Sequence, residues 1–261
     1  MISRTTDDYM RMAMAGCKAI TEPAFWAGFD RSNSSGFYDY FRQLTEFENK
    51  RAKKYGIEHY CWVCINPKES EDHSLAKEVI KILPDFLKKP SVLGIGEIGL
   101  NKNTKKEIKM LEAQLELAAT HDQLVLVHTP HLEDKLKGTK LIIDVIKNQS
   151  SLKPEKILID HVEEHTVELV LQNGFWGGMT IYPDSKCTPD RAVDILETWG
   201  LEKLCVNSAG DWGHSDPLAV PKWRFAMEKR GHSTKAIQRI CWDNPYEFLN
   251  QSKNFNIKNE S

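Results

Sequence analysis

The stretch S-V-L-G-I-G-E-I-G-L (residues 91–100) decides how this chain is read. Apart from Ser91 and Glu97 it is apolar or glycine throughout, so a strand formed here is covered on both faces. Strands of that kind belong to parallel sheets flanked by helices, because an antiparallel sheet with one wet face alternates polar and apolar residues. Six further apolar, β-branched runs resemble it, at 18–23, 57–67, 123–130, 156–162, 175–183 and 204–211. Between them lie segments with apolar residues three and four apart, at 75–87, 107–119, 137–147, 166–172 and 191–199, which read as amphipathic helices. The even spacing of the strands favours a TIM-type (β/α)8 barrel over a doubly wound sheet, whose connections vary more.

A chain of 261 residues suits one such barrel. A single domain over 1–251 is expected, closing with helices at 233–240 and 246–250, followed by a polar tail at 252–261 expected to fray. A formal net charge of -2, with no basic run, withholds support from a nucleic-acid or anionic-membrane partner. No apolar run approaches the roughly 18 residues that span a bilayer. The N-terminus has no basic region followed by an apolar block. Six cysteines, thinly spread, fit reduced thiols and a cytoplasmic location. Cys61 and Cys64 form C-x-x-C inside an apolar run, where buried strand thiols are the simpler reading than a redox or zinc site.

Ligand-type residues fall where the strands end. Glu97, His128, His161 and Asp211 lie near the ends of the third, fourth, fifth and seventh runs. In a parallel barrel the C-terminal strand ends surround one shared mouth. A lone His or Glu after a strand reads as a loop residue or helix cap. Four together read as a metal site, because two His and a Glu make a three-ligand set with a position open for water. Asp211 adds a carboxylate that can hold a second ion or take a proton from that water. Four residues are weaker substrate contacts: Glu22 and Trp26 after the first run, and Tyr182 and Lys186 after the sixth, where an anionic group could be met. Phe25, Trp176 and Trp212 add aromatic surface that suits a compact organic substrate. His165 could orient His161 as a partner of its ring, or simply start a helix.

The motifs G-E-I-G-L with Glu97, V-H-T-P with His128, D-H-V-E-E with His161 and the strand-end Asp211 resemble those of TatD-related hydrolases of the amidohydrolase superfamily, over about 20–249. The resemblance implies two divalent ions (zinc, manganese or magnesium) bridged by Glu97, with His128 and His161 on the second ion and Asp211 touching the first ion and the attacking water. The family's first strand ends in His-x-His, whereas this chain opens M-I-S-R-T-T-D-D-Y, and Thr5 to Asp8 already look like the capped start of a helix. The expectation is therefore a barrel of seven parallel strands lacking strand one, with two apolar edges facing a gap and at most one tightly bound ion. The acidic-Thr-Asp that ends the family's last strand is Ser208-Ala209-Gly210-Asp211 here, which leaves Asp216 as a rival for the catalytic carboxylate. The implied chemistry is metal-activated water attacking a phosphoester or carbonyl-type bond (ester, amide or lactone) of a small molecule. A TatD-like deoxyribonuclease is one alternative, and a non-catalytic barrel acting as a binding or scaffold protein is the other. The oligomeric state is not read from the sequence.

Overall fold

The computed structural model describes residues 5–131, 134–149, 151–210 and 214–258. All seven apolar runs form strands, each trimmed at its ends: β1 (Ala19–Glu22), β2 (Glu58–Val63), β3 (Val92–Gly99), β4 (Leu124–His128), β5 (Ile157–Asp160), β6 (Trp176–Ile181) and β7 (Leu204–Ser208). They pair in chain order, every pair parallel. The sheet curls as in a TIM barrel, and among the described residues no ladder joins β7 to β1. The helices are α1 (Thr6–Met14), α2 (Ser34–Arg42), α3 (Asn49–Lys53), α4 (His73–Leu87), α5 (Lys105–Thr120), α6 (Lys135–Lys147), α7 (Val167–Gln172), α8 (Pro189–Trp199), α9 (Ala219–Lys229), α10 (Thr234–Gln238) and α11 (Asn244–Leu249).

Period-two alternation along each strand divides the core in two. Val125, Val127, Ile157, Ile159 and Met179 face the helices. Leu124, Leu126, Leu158, Trp176 and Cys205 meet across the inside of the sheet, with Tyr60, Trp62 and Leu93. Because both faces are buried, the alternation is invisible in hydrophobicity alone. Cys61 and Cys64 are buried and unpaired, as expected of strand thiols.

Helix α1 starts as its sequence suggests, with the Thr5 N–H donating to the Asp8 carboxylate at 3.0 Å. Tyr9 and Met12 pack on Ala52 and Ile57, and the Tyr9 hydroxyl donates to Glu48 at 2.7 Å. No helix among the described residues is long and apolar enough to cross a membrane.

The chain end departs from the expected fraying. Phe248 enters the inner core between Trp62 and Trp176, and Phe255 lies 5.2 Å from the Tyr60 ring. Asn254 Nδ2 donates to the carbonyls of Lys89 (3.1 Å) and Val92 (2.7 Å), and Asn256 bonds the Tyr60 hydroxyl. Residues 252–258 thus lie against β2 and the start of β3. Their asparagines read as solvent-seeking in sequence, but here Asn254 donates to backbone carbonyls at the start of β3 and Asn256 pairs with the Tyr60 side chain of β2. Residues 259–261 lie outside the described residues.

Candidate metal centre

Toward the C-terminal strand ends the inward-facing positions change from apolar to polar. Leu124 and Leu126 on β4 are followed by His128, Leu158 on β5 by Asp160, Trp176 on β6 by Thr180, and Cys205 on β7 by Asn207. On β3 the register against β4 shifts between Ile95 and Ile98, and Glu97 sits at that irregularity. A bulge of this kind re-aims a side chain. The result is one recess lined by Glu97, His128, Asp160, His161, Thr180 and Lys186, among others.

Three of the four residues singled out in the sequence converge there. Glu97, His128 and His161 are each about 95% buried, and one donor atom from each lies within 4.8 Å of the others. His161 Nε2 is 2.8 Å from Glu97 Oε1 and 3.0 Å from His128 Nδ1, which is 3.2 Å from Glu97 Oε2. The fourth, Asp211, lies outside the described residues, as does Trp212. Residues 208–210, which lead to it from β7, line the recess.

Counting hydrogens shows what this cluster wants. Thr180 Oγ1 donates its single hydrogen to Asp160 Oδ1 at 3.1 Å, so toward His161 Nδ1, 2.7 Å away, it accepts. That assigns the His161 ring hydrogen to Nδ1 and leaves Nε2 as a lone pair. Burial pushes the His161 imidazole down to about 3, against the opposing pull of Asp160, so the ring is neutral near pH 7. Burial works against the Glu97 carboxylate, yet its interaction with His128, the strongest favourable influence on it, holds it well below the usual carboxylate range. A lone pair, a carboxylate and a second imidazole therefore meet with at most one hydrogen between them. Unshared electron pairs crowded in a buried site are costly unless a cation joins them, and a Glu with two His is a fitting donor set for a divalent ion.

The supports are specific. Asp160 Oδ1 also accepts from the His161 N–H (2.8 Å) and from Asn207 Nδ2 (2.8 Å). His161 holds φ +60°, a left-handed conformation costly for a residue with a Cβ. Lys135 fixes it by donating from Nζ to the His161 carbonyl at 2.8 Å. Gly178 makes room for the arrangement, since a Cβ there would stand 2.3 Å from Asp160 Oδ1.

Among the weaker candidates, Lys186 lines the recess and is 6% exposed, its ammonium 4.9 Å from the Tyr182 ring centre. Tyr182 is buried beneath it. Trp26 stands behind Lys68, whose ammonium is 5.0 Å from its ring and which itself lines the recess with Phe25. Glu22 is not part of the wall: strand alternation turns Thr21 inward and Glu22 toward the helices, where it meets His59 Nε2 at 3.0 Å. His165 is exposed beside Glu163 and Glu164, and the His161 ring is held by Thr180 and Asp160 instead. Trp176 begins its strand and packs at the opposite end of the barrel, on Phe248. Asp216, the rival of Asp211, accepts from the Leu218 N–H (2.9 Å) and pairs with Lys222 (2.5 Å) at the start of α9.

Sequence reasoning missed His131, Asp160, Thr180 and Lys68. Two of these carried signals, His131 as the second His of H-T-P-H and Asp160 in D-H, but Thr180 and Lys68 had none. His131 lines the recess with its Nδ1 buried.

The TatD related DNase family matches residues 29–186, a span that contains Glu97, His128 and His161 and ends before β7. An uncharacterized metal-dependent hydrolase of Methanocaldococcus jannaschii is 26% identical over 94% of this chain and 95% of its own length. The crystal structure of a TatD-like protein from Archaeoglobus fulgidus superposes with a TM-score of 0.76 at 26% identity, covering 94% of this chain and 95% of that one. A phosphotriesterase homology protein from Escherichia coli superposes at 0.70 over 94% and 88% of the two chains, and its 12% identity speaks to the fold alone.

Proposed function

This chain belongs to the TatD-related DNase family and is a metal-dependent hydrolase, and from that premise we propose that it cleaves a phosphoester or carbonyl-type bond of a small molecule, with Glu97, His128 and His161 holding the ion. The observation that carries this reading is the convergence of those three donors in a recess whose wall also carries the ammonium groups of Lys68 and Lys186. Two cations facing one mouth favour an anionic substrate, and so favour the phosphoester over a neutral ester, amide or lactone.

A divalent ion bound there (zinc, manganese or magnesium) supplies Lewis acidity and lowers the pKa of water from 15.7 toward about 7. The protein's own part is orientation and proton handling. Glu97 presents one oxygen to each imidazole. Thr180 and Asp160 keep the His161 hydrogen on Nδ1, so that Nε2 remains a donor of electrons. Asp211, which follows the recess-lining residues 208–210 in the sequence, is assigned to orient the attacking water, take its proton and return it to the leaving group.

The family description supports a second reading, hydrolysis of DNA. The net charge of -2, without a basic stripe to follow a phosphate backbone, weighs against it. Six unpaired cysteines support a reducing, cytoplasmic setting.

The test strips metal with a chelator, restores zinc, manganese or magnesium in turn, and offers a phosphomonoester, a phosphodiester, a carboxylic ester, a lactone, and single- and double-stranded DNA. Metal-dependent turnover of a small phosphoester is the expected result. Turnover confined to DNA establishes the second reading, and no turnover with any ion overturns both.

A further inference from the structure

Resting on the metal reading above, we propose that His131 is a fourth protein ligand of the ion held by Glu97, His128 and His161. Its ring lines the same recess. The three imidazole centres form a triangle with sides of 4.8 Å (His128 to His161), 5.2 Å (His128 to His131) and 5.6 Å (His131 to His161). An imidazole nitrogen about 2.1 Å from an ion places its ring centre about 3.2 Å away, so at tetrahedral angles two such centres are about 5.2 Å apart. The observed sides of 4.8, 5.2 and 5.6 Å scatter evenly about that value.

His131 is also short of a role in the protein itself. Its Nδ1 is buried and has no hydrogen-bond partner among the described residues. A histidine held only for packing normally satisfies its ring nitrogens. The two residues that precede it are both anchored. Thr129 Oγ1 donates to the Asp160 carbonyl at 2.9 Å, and Pro130 seats where Gly138 of α6 leaves no room for a Cβ, which would stand 2.3 Å from the Pro130 ring. The tight donor cluster comprises the other three residues. His131 joins it by rotation about its side-chain bonds, and five-coordination then keeps a position open for water.

The test measures zinc affinity by competition with a chromophoric chelator and records the visible spectrum of the cobalt-substituted protein. It compares wild type, His131→Ala, His131→Asn and, as a control for histidine content, the exposed His121→Ala. Thermal unfolding of each metal-stripped variant guards against misfolding, and the asparagine variant serves if the alanine one is unstable. Both His131 variants should bind zinc at least about tenfold more weakly and shift the cobalt bands, while His121→Ala changes neither. Affinity within about twofold of wild type with an unchanged spectrum overturns the proposal, and a raised KM with metal binding intact does so too, by assigning His131 to the substrate. If wild type itself binds no ion, the metal reading fails as a whole, an outcome distinct from failure of His131 alone.

Discussion

Replacing Thr180 with valine removes one hydroxyl and almost no volume, so it tests the hydrogen count at the centre of the recess. That hydroxyl accepts from His161 Nδ1 at 2.7 Å and donates to Asp160 Oδ1 at 3.1 Å. Asp160 keeps two other donors, the His161 N–H and Asn207 Nδ2, and so remains satisfied. His161 does not, because its Nδ1–H is left in a buried site without its hydrogen-bond acceptor, with Asp160 Oδ2 3.6 Å away, too far to replace it. A buried donor stripped of its partner costs about 1–3 kcal/mol, and the ring can recover part of that by moving its hydrogen to Nε2, which destroys the lone pair facing Glu97. Loss of a partner that orients a metal-binding histidine costs about 10- to 100-fold in metal affinity, or about 1.4–2.7 kcal/mol. Chelator competition on wild type, Thr180→Val and Thr180→Ser should give that loss for valine and near-wild-type affinity for serine, which keeps the hydroxyl. Equal affinity for valine and wild type, or an equal loss for both variants, would refute the tautomer argument.

Gly178→Ala should destabilise by about 1–3 kcal/mol and weaken metal binding, since its Cβ would lie 2.3 Å from Asp160 Oδ1; an unchanged melting temperature counts against the close approach. Ending the chain after Gln251 removes Phe255, Asn254 and Asn256 from the base of the barrel and should cost about 2–4 kcal/mol, seen as a drop of about 5–15 °C in Tm; equal melting curves would return these residues to a frayed tail. Lys186→Gln should raise KM about tenfold for an anionic substrate with a smaller change in kcat, and an unaltered KM removes the case for anion recognition at that wall. Asp211→Asn should cut kcat far more than it raises KM, because an amide keeps the shape but cannot accept a proton; full activity would move the role elsewhere.

Much of this was legible in one dimension. Continuous apolar runs alternating with helical periods can be satisfied only by a parallel sheet covered on both faces, and residues 91–100 alone carry that inference. Once the strands are parallel, Glu97, His128 and His161 must share a mouth, since strand ends in such a sheet all point one way. That is a consequence of connectivity, and connectivity is written in the sequence.

What the sequence could not decide depends on the pleat and on distant pairing. Glu22 and Thr21 are neighbours, but only the side of the sheet each faces separates a helix-layer partner of His59 from a wall of the recess. A strand buried on both faces offers no polar alternation to reveal that side. Thr180 lies on β6 and His161 just past the end of the neighbouring β5, 19 residues away, and nothing about an isolated threonine announces that it will fix a histidine tautomer. Asn254 and Asn256 looked like solvent-facing residues because composition records polarity and not the partners waiting at the far end of the barrel, backbone carbonyls for Asn254 and the Tyr60 hydroxyl for Asn256. The kinds of residue that bind a cation were set by the sequence, whereas the orientation of each donor was set by tertiary packing, because a hydrogen bond is directional and its partner comes from elsewhere in the chain.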